Sequence, residues 1–498
     1  MRFTLILLLL SLTIMAQETY FNKNYDILEG RQTMKSLEIV GEEYFVLGPS
    51  TLTNGEDIYT IWKIDKQGEV KSLYNYGEGD NHDYLEGHLQ IVEDKIFVFF
   101  SRKDSLSDSK YYLASISLEG ELLWEQTYDL GILVEGARKL TPTSDKGFMM
   151  AGFSLNFPDE LGQAYIVKTD SLGNMEWQKD YGSLEEDAQV NEIIELEEGG
   201  YLVMGWMSYQ EAVNRNIWVF QIDSEGNMLW EETYGNGHLE ECSDILEVED
   251  GYVIVGYQYP NSILESDPNG YIFKIDKEGN MLWEKKYSGT LALNGLQLDD
   301  IFREVRELED GSLVVIGHSR NHKDSGRLSG ILMKLTSEGD SLWTKAYSNI
   351  LRSNHYLWDF EVTEDNGFVM CGWSKGVESE TQDGWVLKVD SLGNTCQPAN
   401  CDSILTTSIQ YEVTTHYPTH FYPNPAQNRV TFQHRLPKGK EAVLDVYDLQ
   451  GREMGNWRLE IGDLEMDLNV EGWESGLYLY RVRIEGREVS SGKLVVEE

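Results

Sequence analysis

The sequence predicts an all-β chain in which seven similar four-stranded units close into a ring and a small β-sandwich follows. Three observations predict it. Turn glycines recur at near-constant spacing along most of the 498 residues. Each repeat holds four apolar stretches of strand length. The chain also opens with the one strand that its last repeat lacks.

Composition agrees. Aromatic residues make up 11%, with 28 Tyr and 13 Trp, and 46 Gly supply many turns. That mixture suits short strands. The formal charge of −44 argues against nucleic acid or an anionic membrane as partner and favours cations or a basic partner.

Met1-Arg2, the apolar run Phe3 to Met15 and the small Ala16 form a signal-peptide pattern, with residues 1–17 expected to be removed. The run is too short to span a bilayer. No Cys stands at the cleavage region, so a lipid anchor is not expected there.

The propeller region is placed at 18–395. Gly68, Gly120, Gly173, Gly226, Gly279, Gly339 and Gly393 are 52, 53, 53, 53, 60 and 54 residues apart, a repeat architecture. The clearest copy is Asp223-Ser-Glu-Gly226-Asn-Met-Leu-Trp230-Glu-Glu-Thr-Tyr234-Gly235. Asp ends the third strand (c) of a unit, the glycine makes a tight turn, and Trp and Tyr ride on the fourth strand (d).

Strand b is an apolar run between glycines, as in Gly200-Tyr-Leu-Val-Met-Gly205. Strand c is typified by Trp218-Val-Phe-Gln-Ile-Asp223, and strand a by Val190 to Leu196. The seventh unit stops at Gly393-Asn394, and Thr19 to Tyr25 resembles the missing strand d. A chain built this way closes its own edge, which makes a seven-bladed β-propeller rather than an open solenoid. Similar turns occur in the tryptophan-docking motif of quinoprotein dehydrogenases and the Asp-box of sialidases. Both are structural there, so the resemblance implies a propeller and no activity.

The a–b and c–d connections are tight, so they share one end of the ring. The longer b–c and d–a connections share the other, where binding is expected. Tyr209, Tyr259, Tyr356 and Trp358 are non-repeated aromatics on that face and are the candidate ligand contacts. Trp206, Tyr257 and Trp373 recur at one position and are assigned to packing.

Asp80 and Asp83, in an acidic loop, are a candidate calcium pair, with Asp299-Asp300 and Glu240-Glu241 in equivalent loops. His318 and His322 have metal spacing but no zincin glutamate, and no catalytic triad or Cys-His signature is visible. No other cofactor is expected. Cys396 and Cys401 are expected to form a local disulfide at the start of a linker, 396–414, while Cys371 reads as a buried structural thiol.

From 415 the composition changes to an alternating-strand module, an immunoglobulin-like β-sandwich candidate. It carries Phe421-Tyr422-Pro423-Asn424-Pro425, the Tyr-Asp-Leu-Gln-Gly451 turn, Gly476-Leu-Tyr478 and a closing Lys493-Leu-Val-Val. Residues 415–498 resemble the type A C-terminal sorting domain of the type IX secretion system. That resemblance implies a Bacteroidetes bacterium, passage through the periplasm, and export across the outer membrane. It also implies recognition by the secretion machinery and its sorting peptidase, then release or attachment to surface lipopolysaccharide. The functional expectation is a surface or secreted monomeric propeller that binds an extracellular glycan or protein. The alternative is an extracellular propeller enzyme acting on glycan or peptide at the same face. Carboxylates, Arg or His converging on the channel mouth would favour the enzyme.

Overall fold

The computed structural model describes residues 20–497 apart from 28–29, 53–54, 56, 80–86, 106–107, 129–133, 157–160, 184–185, 210–214, 236–237, 261–267, 290–299, 322–326, 349–353, 376–381, 396–404, 409–410, 417–418, 435, 437–441, 460–464 and 485. Every regular element described is a β-strand. Seven antiparallel sheets form the blades, and two more form the C-terminal sandwich. The segment expected to be a signal peptide, the expected Cys396–Cys401 disulfide and the candidate calcium pair Asp80 and Asp83 all lie outside the described residues.

Blade 4 shows the pattern, with a at Glu186–Glu195, b at Tyr201–Tyr209, c at Asn216–Ile222 and d at Met228–Tyr234. Asp223 accepts hydrogen bonds from the backbone N–H of Glu225 (2.9 Å) and Asn227 (2.8 Å), which sets the c–d turn. Gly226 at its tip has φ +76°, a region where a side chain is strained.

The motif's Trp and Tyr then reach the next blade. A Cβ on Gly226 would lie 3.0 Å from the rings of Trp177 and the Tyr181 oxygen, so blade 3 caps the turn of blade 4. Tyr181 donates its hydroxyl to the Gly226 carbonyl at 2.8 Å. Tyr76, Tyr128, Tyr234, Tyr287 and Tyr347 make the same bond to the turn glycine of the blade that follows each.

Ring closure is direct. Strand Phe21–Tyr25 pairs antiparallel with Asp383–Val389, strand c of blade 7, in the register Phe21↔Lys388 to Tyr25↔Gly384. Trp385 donates its indole N–H to Asn22 at 2.6 Å. Tyr25 supplies the seventh Tyr–Gly bond, to Gly68 of blade 1, at 3.0 Å.

The apolar core lies between blades rather than within them. Met149 and Ile166 of blade 3 pack with Val203 and Phe220 of blade 4, and Val369 and Val386 of blade 7 pack with Val46 and Trp62 of blade 1. Alternating strand residues face opposite neighbours, so each sheet is buried on both sides.

The Ser/Thr-rich segment that reads as linker is partly strand. Leu405–Ser408 pairs with strand d of blade 6 (Ser341–Ser348), and Tyr411–His416 with strand d of blade 5 (Met281–Gly289). Composition misses this because edge pairing uses backbone groups, which Ser and Thr offer as well as any residue.

The sandwich packs a sheet of Thr419–Tyr422, Arg429–His434 and Glu465–Asn469 against one of Glu453–Leu459, Ala442–Asp448, Gly476–Ile484 and Arg487–Val496. Asn424 clamps the final strand by donating to the Lys493 carbonyl (3.0 Å) and accepting from the Val495 N–H (2.8 Å). Asp448 accepts from Gln450 and Arg452 around the turn at Gly451.

Candidate central channel site

The a strands line the central channel, and most of them carry a β-bulge at one shared position. The register shifts between Ala137 and Lys139, Val190 and Glu192, Cys242 and Asp244, Phe302 and Glu304, and Leu357 and Asp359. A bulge inserts one residue and re-aims its side chain. Around the channel the inserted residues are Arg138, Asn191, Ser243, Arg303 and Trp358. Lys35 occupies the matching place in blade 1, between the paired residues Gln32↔Ser50 and Ser36↔Leu47.

One residue further along, Ser36, Lys139, Glu192, Asp244, Glu304 and Asp359 form a belt, with His88 of blade 2 beside it. Its members stitch the inner strands together. Asp244 accepts from the Val305 N–H (2.9 Å), Glu304 from the Phe360 N–H (2.9 Å) and Asp359 from the Leu37 N–H (2.6 Å), each across a blade seam. Ser36 bridges to the backbone of Leu89 in the same way, at 3.2 Å. Lys139 pairs with Glu192 at 2.9 Å, and Arg306 with Glu304 and Asp244.

Burial raises the Glu304 carboxyl well above the ordinary carboxylate range despite Arg306 beside it. Asp359, which hydrogen-bonds Glu304, is pushed up by burial to about 6. Two buried carboxylates in contact hold a proton more readily than either alone. His88 is held neutral, because burial and the nearby Lys139 and Arg306 all oppose its charging.

Bulge layer and belt together enclose a cavity of about 540 Å³, within the size range of small-ligand sites. Phe153, Trp206 and Tyr257, at the ends of b strands, and Arg215, just before a c strand, line its outer part. Those positions belong to the end of the ring with the longer connections. Arg215 lies over the Trp206 ring at 3.9 Å and pairs with Glu241 at 2.5 Å, and Tyr257 also donates to Glu241. Arg303 and Lys35 lie 4.2 and 4.9 Å from the Trp358 ring centre.

The four aromatics singled out from sequence fare differently. Trp358 lines the cavity. Tyr356 is stacked on Trp373 at 4.0 Å and has His318 against it at 4.4 Å, so its ring is engaged in aromatic packing. Tyr259 meets Tyr257 edge-on at 6.2 Å. Tyr209 ends strand b of blade 4 opposite Glu186, and its side chain lies outside the described residues. Trp206 and Tyr257, which repetition assigned to packing, line the cavity.

Glu240 is buried and accepts from Gln258 at 2.8 Å, and Glu241 is engaged by Arg215 and Tyr257. Among the described residues no group of three or more His, Cys, Asp or Glu is arranged to hold a metal ion. His322 lies outside the described residues. Cys242 and Cys371 are buried free thiols, and Cys242 donates to the Gly205 carbonyl at 2.9 Å.

Sequence reasoning passed over the bulge residues because their identities differ from blade to blade. A signal did exist. Lys35, Arg138, Asn191, Ser243, Arg303 and Trp358 each stand thirteen or fourteen residues ahead of the strand-b glycine of their repeat.

Residues 420–497 match the family model described as the secretion system C-terminal sorting domain. The tail is therefore a sorting domain of that system, and it directs the chain to the cell surface or extracellular space. No curated protein matches the chain in sequence. Among solved structures, the chain is similar to the β-propeller domain of the Trilobed protease from Pyrococcus furiosus, with 11% identity, TM-score 0.39, and 72% of this chain and 95% of that one covered. It is similar to PorZ, a surface component of the type-IX secretion system of Porphyromonas gingivalis, at 11% identity and TM-score 0.28, covering 93% and 75%. An endo-arabinase from Bacteroides thetaiotaomicron shares 9% identity at TM-score 0.31, covering 74% and 98%.

Proposed function

We propose that the exported ring is an interaction module whose ligand enters the central cavity from the end with the longer loops. The observation that carries this reading is the convergence of Lys35, Arg138, Arg303 and Trp358, from four different blades, on one cavity. A rigid ring can present such a cluster because every contributing strand is held between two neighbours. The mature unit on this reading is a monomeric propeller of about residues 18–395. A sorting peptidase removes the tail, and the ring is released or attached to surface lipopolysaccharide.

Probing a glycan and protein array with the exported chain, with and without calcium, tests the reading. Binding that disappears in Ser243→Arg, which fills the cavity, supports it. Binding unaffected by that variant places the site elsewhere.

A second reading has its own observation. Carboxylates, arginines and a histidine do converge on the channel, and burial pushes both carboxyls of the Glu304–Asp359 pair up from their ordinary range. That is the equipment of a general acid acting on glycan or peptide. Binding is preferred because Asp244, Glu304 and Asp359 are each committed to a backbone N–H across a seam. Product release from any array substrate, lost in Asp359→Asn, would reverse that preference.

A further inference from the structure

The bulge layer differs in chemistry from the belt beneath it. Its charged members are all cations: Lys35, Arg138 and Arg303. The nearby Glu241 is engaged by Arg215 and Tyr257. The layer and the cavity wall beside it also contain buried donors that lack an acceptor. Arg303 Nε, Trp358 Nε1 and Trp206 Nε1 have no hydrogen-bond partner among the described residues. A buried donor left without an acceptor is unfavourable, because it has been desolvated with nothing in return. The cations oppose one another as well, since burial and the repulsion of Arg138, Arg303 and Arg31 hold the Lys35 amine down at about 7. A site of this kind is complementary to a ligand rich in acceptors and carrying negative charge.

Three further features narrow the class. The chain carries a net charge of −44, so a polyanion is repelled at long range, and only a compact anion gains from the local cations. The cavity of about 540 Å³ holds one small unit rather than a polymer segment. On blades 4 and 5 the bulge residues lining the same cavity are the neutral Asn191 and Ser243, which suit hydroxyl groups; Asn191 is already oriented by donating to the Cys242 carbonyl (2.9 Å) and accepting from Gln189 (2.8 Å).

We propose that the bulge layer binds a single acidic sugar residue, its carboxylate or sulfate held by Arg303, Lys35 and Arg138 and its ring lying against Trp358. The proposal rests on the channel mouth being the ligand site and adds the class of ligand. The indole and guanidinium N–H groups donate to the anion, while Asn191 and Ser243 engage the hydroxyls.

Calorimetric titration of the exported chain, tail included, with D-glucuronate, glucose 6-sulfate and glucose tests this. At least one acidic sugar should bind, with glucose at least tenfold weaker. A response to glucuronate alone identifies a carboxylate as the anion, and a response to the sulfate ester alone identifies a sulfate. Arg303→Met and Lys35→Met should each weaken acidic-sugar binding at least tenfold, with cooperative thermal unfolding retained. The comparison of charged with neutral sugar in the wild-type chain stands whether or not either variant folds. Equal binding of glucose, or unchanged affinity in both variants, overturns the proposal. So does an acidic tetrapeptide that binds tenfold tighter than either sugar. If no sugar binds, the acidic-sugar assignment fails. Array binding that is still lost in Ser243→Arg would then leave the channel-mouth reading intact, whereas array binding that survives it would overturn both.

Discussion

The hydroxyl of Tyr25, near the start of the described chain, donates to the carbonyl of Gly68 at 3.0 Å. It is the same bond that Tyr181 makes to Gly226 and Tyr347 to Gly393. The seventh seam is therefore built like the other six, although its two sides come from opposite ends of the propeller.

Tyr25→Phe and Tyr234→Phe should each cost about 1 kcal/mol, the net worth of one buried hydrogen bond. Deleting residues 20–25 should cost far more, because it unpairs strand c of blade 7 along its length. Urea unfolding of the three variants measures this. Equal losses in all three would show that the terminal strand does not close the ring.

Gly226→Ala should destabilise by about 1–2 kcal/mol from backbone strain alone. The added Cβ would also press on Trp177 and Tyr181 at 3.0 Å, so the loss should exceed that of Gly41→Ala, where φ is similar but nothing lies within 4 Å. Thermal unfolding of the two variants compares strain with and without the contact.

Glu38 lies beside the channel, where burial first and the repulsion of Glu361 second push its carboxyl up to about 8 from 4.5. Lys139 and Arg306 pull the other way, and Glu304 adds to the rise. The folded state thus binds the proton more tightly than the unfolded state. The associated stability is fully present below about 4.5 and is lost as pH rises through about 8. Glu38→Gln should flatten this loss, making the variant the more stable partner at pH 9. Denaturant midpoints of both proteins across that range provide the check.

Thr414→Pro should free the segment before the sorting domain. Thr414 pairs with Lys286 on the rim of blade 5, and proline removes a backbone donor there. Limited proteolysis should then cut between ring and tail faster than in wild type.

A reporter fused to residues 415–498 should reach the cell surface of a bacterium with the secretion system. Asn424→Ala should reduce that export, since it deletes both bonds to the final strand. Cell fractionation reads the outcome, and a fusion retained in the periplasm would count against the tail's role.

Much of the ring was legible because its signals are local. Asp223, Gly226, Trp230 and Tyr234 sit within twelve residues, and the turn they form needs only its own backbone. Strand order, the closing strand and the tail's Tyr422-to-Pro425 motif were readable for the same reason. The rim pairing of residues 405–416 was not, because an added edge strand is specified by the partner's exposed backbone and leaves no pattern of its own.

The candidate site shows the other side of that division. Trp358 was singled out because it broke the repeat, while Lys35, Arg138 and Arg303 were passed over. They stand scores of residues apart, and no sequence window contains two of them. The amino-acid order alone determined the seven units, their tight-turn end and the sorting tail, since each depends on contacts within one repeat or one small module. Only the closed ring decided which residues meet at its axis. Each blade contributes one inner strand there, and a one-residue bulge in that strand chooses which side chain enters the channel.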